Sequence, residues 1–188
     1  MKILKIISLV GLALAASSVW AESNASSNYK TLTLLDGVWV LSPADLQEGG
    51  STKKGPAAEL VGTDKTAMAF KVVGKGSAIQ ENLLPDTGKE MVTMYHCDDF
   101  KNCSQVQAKH YCAKQNQPEL ILDTANSNDA TIVMACDMNT PLCNSAEDHV
   151  HMIKHELSQN NSHLKTTYTV YSGGKLQKNS TYHFDRKQ

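Results

Sequence analysis

The stretch 91–118, MVTMYHCDDFKNCSQVQAKHYCAKQNQP, decides the fold. An extended run at 90–96 breaks on Cys97-Asp98-Asp99-Phe100-Lys101-Asn102-Cys103, and a second run follows at 106–113. Two such runs around a turn-forming segment predict a hairpin. Successive strand residues point to opposite faces, so residues two apart share one. In 106–113, Gln107, Lys109 and Tyr111 mark an outer face, which places Val106, Ala108, His110 and Cys112 inward. In 90–96 the apolar pair Val92 and Met94 needs a core, so Val92, Met94 and His96 are expected inward. A slip of one residue would invert that assignment.

The same pattern extends in both directions. Leu34-Leu35-Asp36-Gly37-Val38-Trp39-Val40 reads as a turn into a first strand. Short strands are expected at 66–73, 78–83, 90–96, 106–113, 119–122, 130–135, 149–157, 164–171 and 176–184. They are punctuated by breaks such as Gly74-Lys75-Gly76, Pro85-Asp86-Thr87-Gly88 and Ser172-Gly173-Gly174. Even spacing without a 3.6-residue period argues for an all-β fold. About 8–10 strands must hide their edges, and a single closed antiparallel up-and-down barrel does so. In 149–157 the outer residues Lys154 and Glu156 turn His149, His151, Ile153 and His155 inward. In 164–171 Leu164, Thr166, Tyr168 and Val170 look in, and in the last strand Ser180, Tyr182 and Phe184 share a face.

Residues 1–21 read as a bacterial Sec-type signal peptide: a basic start, an apolar run, and small residues ending at Val19-Trp20-Ala21. The apolar run is shorter than the ~20 residues of a membrane span. No cysteine stands at the cleavage site to carry a lipid, so a periplasmic or secreted location is expected. Residues 22–33, polar and Ser/Asn-rich at their start, are expected as a flexible leader, and 34–186 as one barrel domain. The formal charge of −1 becomes more acidic once Lys2 and Lys5 leave with the signal, which argues against nucleic acid as a partner. Export permits disulfides. Proximity favours Cys97–Cys103 and Cys136–Cys143, each closing a turn, with Cys112 left over; five cysteines also allow pairings across loops.

A family resemblance rests on four strings: Gly76-Ser77-Ala78-Ile79-Gln80-Glu81, Glu90-Met91-Val92-Thr93-Met94-Tyr95-His96, His110-Tyr111-Cys112-Ala113-Lys114-Gln115-Asn116-Gln117-Pro118, and His149-Val150-His151. Together they resemble an uncharacterised bacterial family of lipocalin-like (calycin-type) β-barrels with an HYC-x3-NQP motif. The resemblance spans roughly 34–186 and implies a closed barrel with an internal cavity. It supplies no activity. Where that family has a simple Asp-Gly hairpin, this chain carries Cys97-DDFKN-Cys103, which reads as an added clamp on a longer loop.

Three function classes follow. The first is a barrel binding a small, partly apolar molecule in a cavity lined by His and Tyr, with Glu81, His96, His110, Cys112, Asn116, His149, His151 and Tyr168 as the candidate set. The second is a divalent-metal or haem site built on His149 and His151, a His-x-His pair at strand spacing, joined by His110, with hydrolytic or redox chemistry to follow. The third is a non-catalytic structural or interaction protein of the envelope. In that case His110 and Cys112 are packed core residues, Asn116 only shapes its turn, and the methionines fill space. No catalytic set is identified. The chain has no phosphate-binding glycine loop, nucleophile elbow or Cys-x-x-Cys pair.

Overall fold

Ten antiparallel strands close on themselves in the computed structural model, which describes residues 24–43 and 55–188. The expected signal peptide and its cleavage site lie outside the described residues. In chain order the elements are helix α1 (Asn24–Thr33), β1 (Gly37–Leu41), β2 (Met68–Val73), β3 (Ala78–Leu83), β4 (Met91–Cys97), β5 (Val106–Tyr111), β6 (Glu119–Leu122), β7 (Thr131–Cys136), β8 (His149–Ser158), β9 (His163–Ser172) and β10 (Lys175–Arg186). Short 3-10 turns occur at Pro56–Glu59 and Gly74–Gly76. Each strand pairs with its sequence neighbours, and β1 pairs with β10 to close the ring, so no edge is left open. This is the all-β up-and-down barrel that the even strand spacing implies. No helix among the described residues is long and apolar enough to cross a membrane.

The closing seam is held by side chains as well as by the ladder. The Trp39 indole N–H donates to the Leu35 carbonyl at 2.9 Å, and the Arg186 guanidinium lies 4.1 Å over the indole ring. Arg186 also donates to the carbonyls of Leu34 and Asp36, each at 2.6 Å, and of Asn161 at 2.9 Å. Gly37 makes this approach feasible. Its φ is +129°, and an added Cβ would meet the guanidinium at 3.0 Å. Arg186→Ala is therefore expected to cost about 2 kcal/mol through the lost cation–π contact and three carbonyls left without their donor. Chemical denaturation monitored by tryptophan fluorescence checks this, and an unchanged midpoint would refute it.

The expected leader is corrected. From Asn24 the chain is helical, and Ala25, Asn28, Thr31 and Leu32 are buried at helical spacing. The segment has poor intrinsic helix propensity, and tertiary packing overrides it. Tyr29 donates to the Gly76 carbonyl at 2.9 Å and Thr31 to the Asp129 carbonyl at 3.4 Å. Those carbonyls belong to the β2–β3 and β6–β7 turns, so α1 plugs one end of the barrel. The β3–β4, β5–β6, β7–β8 and β9–β10 connections lie at the other end.

Both proximity disulfides are present, Cys97–Cys103 and Cys136–Cys143, and Cys112 is free and half-buried. Two strand facings differ from expectation. In β4 the inward residues are Thr93 and Tyr95, both fully buried, while His96 is exposed. Register explains the inversion: Thr93 stands between Glu81 of β3 and His110 of β5, so the polar residue has interior partners. In β8 a bulge at His151 breaks the alternation, because Val150 pairs with Val170 and Met152 with Thr169. Ile153 and His155 face in as expected. Beyond the bulge it is Val150 that faces in, and His149 and His151 lie outside the lumen.

Candidate functional site

The barrel interior holds a polar cluster centred on Glu81, which is fully buried. Its carboxylate accepts from the hydroxyls of Tyr95, of Tyr168 at 2.5 Å and of Thr93 at 3.3 Å, and His155 Nε2 lies 3.3 Å away. Burial alone would push the Glu81 carboxyl up. The hydrogen bond and charge of His155, then the Tyr168 and Tyr95 hydroxyls, outweigh it and hold the carboxyl below its usual value. Burial first, and then the Glu81 charge, push both tyrosine hydroxyls well above theirs. These five side chains come from β3, β4, β8 and β9, so the cluster ties opposite walls together.

His110 extends the chain of donors. Thr93 spends its one hydroxyl proton on Glu81, so the 2.9 Å contact between Thr93 Oγ1 and His110 Nδ1 needs the proton on His110 Nδ1. His110 Nε2 is then a bare acceptor, and it is buried without a partner. Burial lowers the His110 pKa to about 4, with the Glu81 charge pulling only partly the other way.

Above this floor, at the end opposite α1, a cavity of about 310 Å³ opens. Leu83, Met91, Val150, Val170 and Tyr182 give it apolar walls, the Tyr168 ring lies at its base, and Lys89, Lys114 and Lys178 stand at its mouth. Lys114 is paired with Asp148 at 2.8 Å, whereas Lys89 and Lys178 have no carboxylate partner among the described residues. Cys112 lines the cavity, and burial raises its thiol pKa against the pull of Lys114.

A third group sits outside the lumen at the same end. His149 Nδ1 contacts the Glu147 carbonyl at 2.8 Å, and His149 Nε2 lies 3.0 Å from His151 Nδ1. The His151 ring stacks on Tyr171 at 3.8 Å and 8°. Burial, and then His149, lower the His151 pKa.

The expected residues thus fall into separate places. Glu81 and His110 belong to the interior cluster, and Tyr168 and Cys112 line the cavity. Asn116 braces the rim, donating to the Asp148 carbonyl at 2.7 Å. His96 is on the outer surface, where its Nδ1 contacts the Cys97 carbonyl. His149 and His151 come together, but not with His110, which corrects the expected three-histidine metal set. The cavity wall carries tyrosine but no histidine among the described residues, so a haem seated there would find no axial imidazole. Thr93 and Tyr95 were hidden by the inverted facing of β4, and the partnership of His155 had no signal beyond its inward parity. A chain of Asp185, His163 and His183, with contacts of 2.8 and 3.2 Å, lies elsewhere on β9 and β10. No protein-family model matches the chain, and no curated protein matches it.

Proposed function

We propose that the protein is an exported lipocalin-like barrel that binds a small molecule with an apolar body and an anionic end in the mouth cavity. The observation that carries this is the pairing of apolar walls with two ammonium groups, Lys89 and Lys178, that have no carboxylate partner among the described residues and stand at the opening. A volume of about 310 Å³ is at the small end of ligand pockets, which run from roughly 300 to 1,000 Å³. The interior polar cluster supports the reading indirectly: Glu81 is fully occupied by its own partners, so it acts as a rigid floor and leaves recognition to the walls and rim. Both disulfides suit an oxidising compartment.

The test uses 8-anilinonaphthalene-1-sulfonate, an apolar probe with one fixed negative charge. Saturable binding to the native protein is expected, weakening with added salt as exposed ion pairs do. Lys89→Ala combined with Lys178→Ala is expected to weaken it roughly 10-fold, about 1.4 kcal/mol. Val150→Trp, which fills the wall, is expected to abolish binding without loss of the β-sheet circular-dichroism spectrum. If the probe binds the Val150→Trp protein as tightly as the wild type, the cavity is not the site. If an uncharged analogue binds equally well, the lysine rim has no role in recognition.

A further inference from the structure

We propose that Cys136, Cys143, His149 and His151 form a redox-gated site for Zn2+, closed by the disulfide and opened by a dithiol reductant. The site is independent of the cavity. Cys136 Sγ and one ring nitrogen each of His149 and His151 all lie within 4.8 Å of one another. Cys143 Sγ is held beside Cys136 by the bridge itself. Four donors of the Cys2His2 type are what a structural zinc ion takes in tetrahedral geometry.

The imidazole of His149 is arranged for ligation before any ion arrives. The Glu147 carbonyl takes the Nδ1 proton of His149, which leaves the Nε2 lone pair directed at His151. A second partner of this kind commonly fixes the tautomer of a ligating histidine. The 3.0 Å separation of the two nitrogens is near that of adjacent ligands on an ion with bonds of about 2.0–2.1 Å. Stacking on Tyr171 sets the plane of His151. His149 is fully buried while His151 is only partly so, giving an ion a way in. The bulge at His151 turns this pair out of the lumen toward the bridge.

With the bridge intact neither sulfur carries a negative charge, and two imidazoles alone hold an ion weakly. A dithiol attacks one sulfur of the bridge, forms a mixed disulfide, and resolves it with its second thiol. Two electrons pass to the protein, the S–S bond is replaced by two cysteine thiols, and the reductant leaves as its own disulfide. Zn2+ then displaces the two thiol protons into solvent, while the single ring proton of His151 moves through solvent from Nδ1 to Nε2 and leaves the Nδ1 lone pair for the ion. A small-molecule disulfide takes the two electrons back by the same exchange and leaves as its dithiol, which re-forms the bridge and releases the ion.

The experiment uses the full folded chain carrying Cys97→Ser, Cys103→Ser and Cys112→Ser, so that the only thiols are those of Cys136 and Cys143. Co2+ serves as the optical probe and Zn2+ as its competitor, with the protein oxidised or reduced by a phosphine. The reduced protein is expected to bind one Co2+ with the visible bands of tetrahedral coordination and a thiolate charge-transfer band, both erased by equimolar Zn2+. The oxidised protein, and the reduced His149→Ala and His151→Ala variants, are expected to bind more weakly by ~100-fold or more, exceeding the loss of an outer hydrogen bond. Glu147 contributes only its backbone carbonyl, so Glu147→Ala is expected to leave affinity nearly unchanged. Equal affinity of oxidised and reduced protein would overturn the gating. Retained affinity in both histidine variants, or absence of the thiolate band, would overturn the ligand set. A reduced protein that has lost its sheet spectrum and does not regain it with Zn2+ would also overturn it.

Discussion

Glu81→Ala is expected to destabilise the barrel by about 3–5 kcal/mol, the cost of removing one partner from a buried charged network. That is a large share of a typical domain stability of 5–15 kcal/mol. The reason lies in what is left behind. The hydroxyls of Tyr95 and Tyr168 and the Nε2 of His155 all converge on this carboxylate, and all are inside the barrel. Alanine returns none of their hydrogen bonds and opens a void between β3 and β9. Urea unfolding followed by circular dichroism measures the loss, and a value under about 1 kcal/mol would show that the network is dispensable. A second variant separates orphaned polar groups from lost volume. Glu81→Leu together with Tyr95→Phe and Tyr168→Phe is expected to be more stable than Glu81→Leu alone, because the hydroxyls that lost their acceptor are gone as well.

The same residues show where sequence suffices and where it does not. The barrel was legible because ten runs of strand-forming residues are separated by turn residues at even spacing, and that pattern leaves few ways to bury one face. The inward set of β5, with Ala108 and His110, followed from plain alternation. Strand β4 did not yield to the same logic. Val92 and Met94 are the more apolar pair, yet Thr93 and Tyr95 are inside because Glu81 and His110 supply their partners from neighbouring strands. A rule that scores each residue alone cannot see a partner on another strand. In β8 the error came from a single extra residue. The bulge at His151 leaves composition unchanged but reverses parity for everything before it, moving His149 and His151 off the lumen face. Helix α1 escaped notice because its burial depends on Gly76 and Asp129, which belong to turns remote in sequence. The two short disulfides were legible because each closes a local turn.

Acid is expected to remove about 3 kcal/mol of stability between pH 6.5 and pH 4, and His110 is expected to carry that loss. The sign follows from which state takes the proton. An unfolded histidine titrates near 6.5, whereas the buried ring titrates at about 4. Above pH 6.5 both states are neutral and the group contributes no slope. Between the two values the unfolded chain is protonated and the native ring is not, so each pH unit costs the native state about 1.4 kcal/mol. Below pH 4 the native ring also takes a proton and the slope from His110 levels off. Glu81 acts lower on the scale. Its native carboxyl sits below its usual value, so its contribution is complete above the unfolded pKa of about 4.3 and is lost as pH falls through the native one. The comparison that isolates the imidazole is His110→Gln, whose amide can still donate to Thr93 but cannot be protonated in this range. Urea midpoints at a series of pH values from neutral to about 4 should show the wild type falling steeply and His110→Gln falling less, by close to the predicted amount. The six other histidines are common to both proteins, so whatever they contribute cancels in the difference. Parallel curves for the two proteins would mean that His110 is protonated as readily inside the barrel as outside it, and that the bare Nε2 has access to a partner.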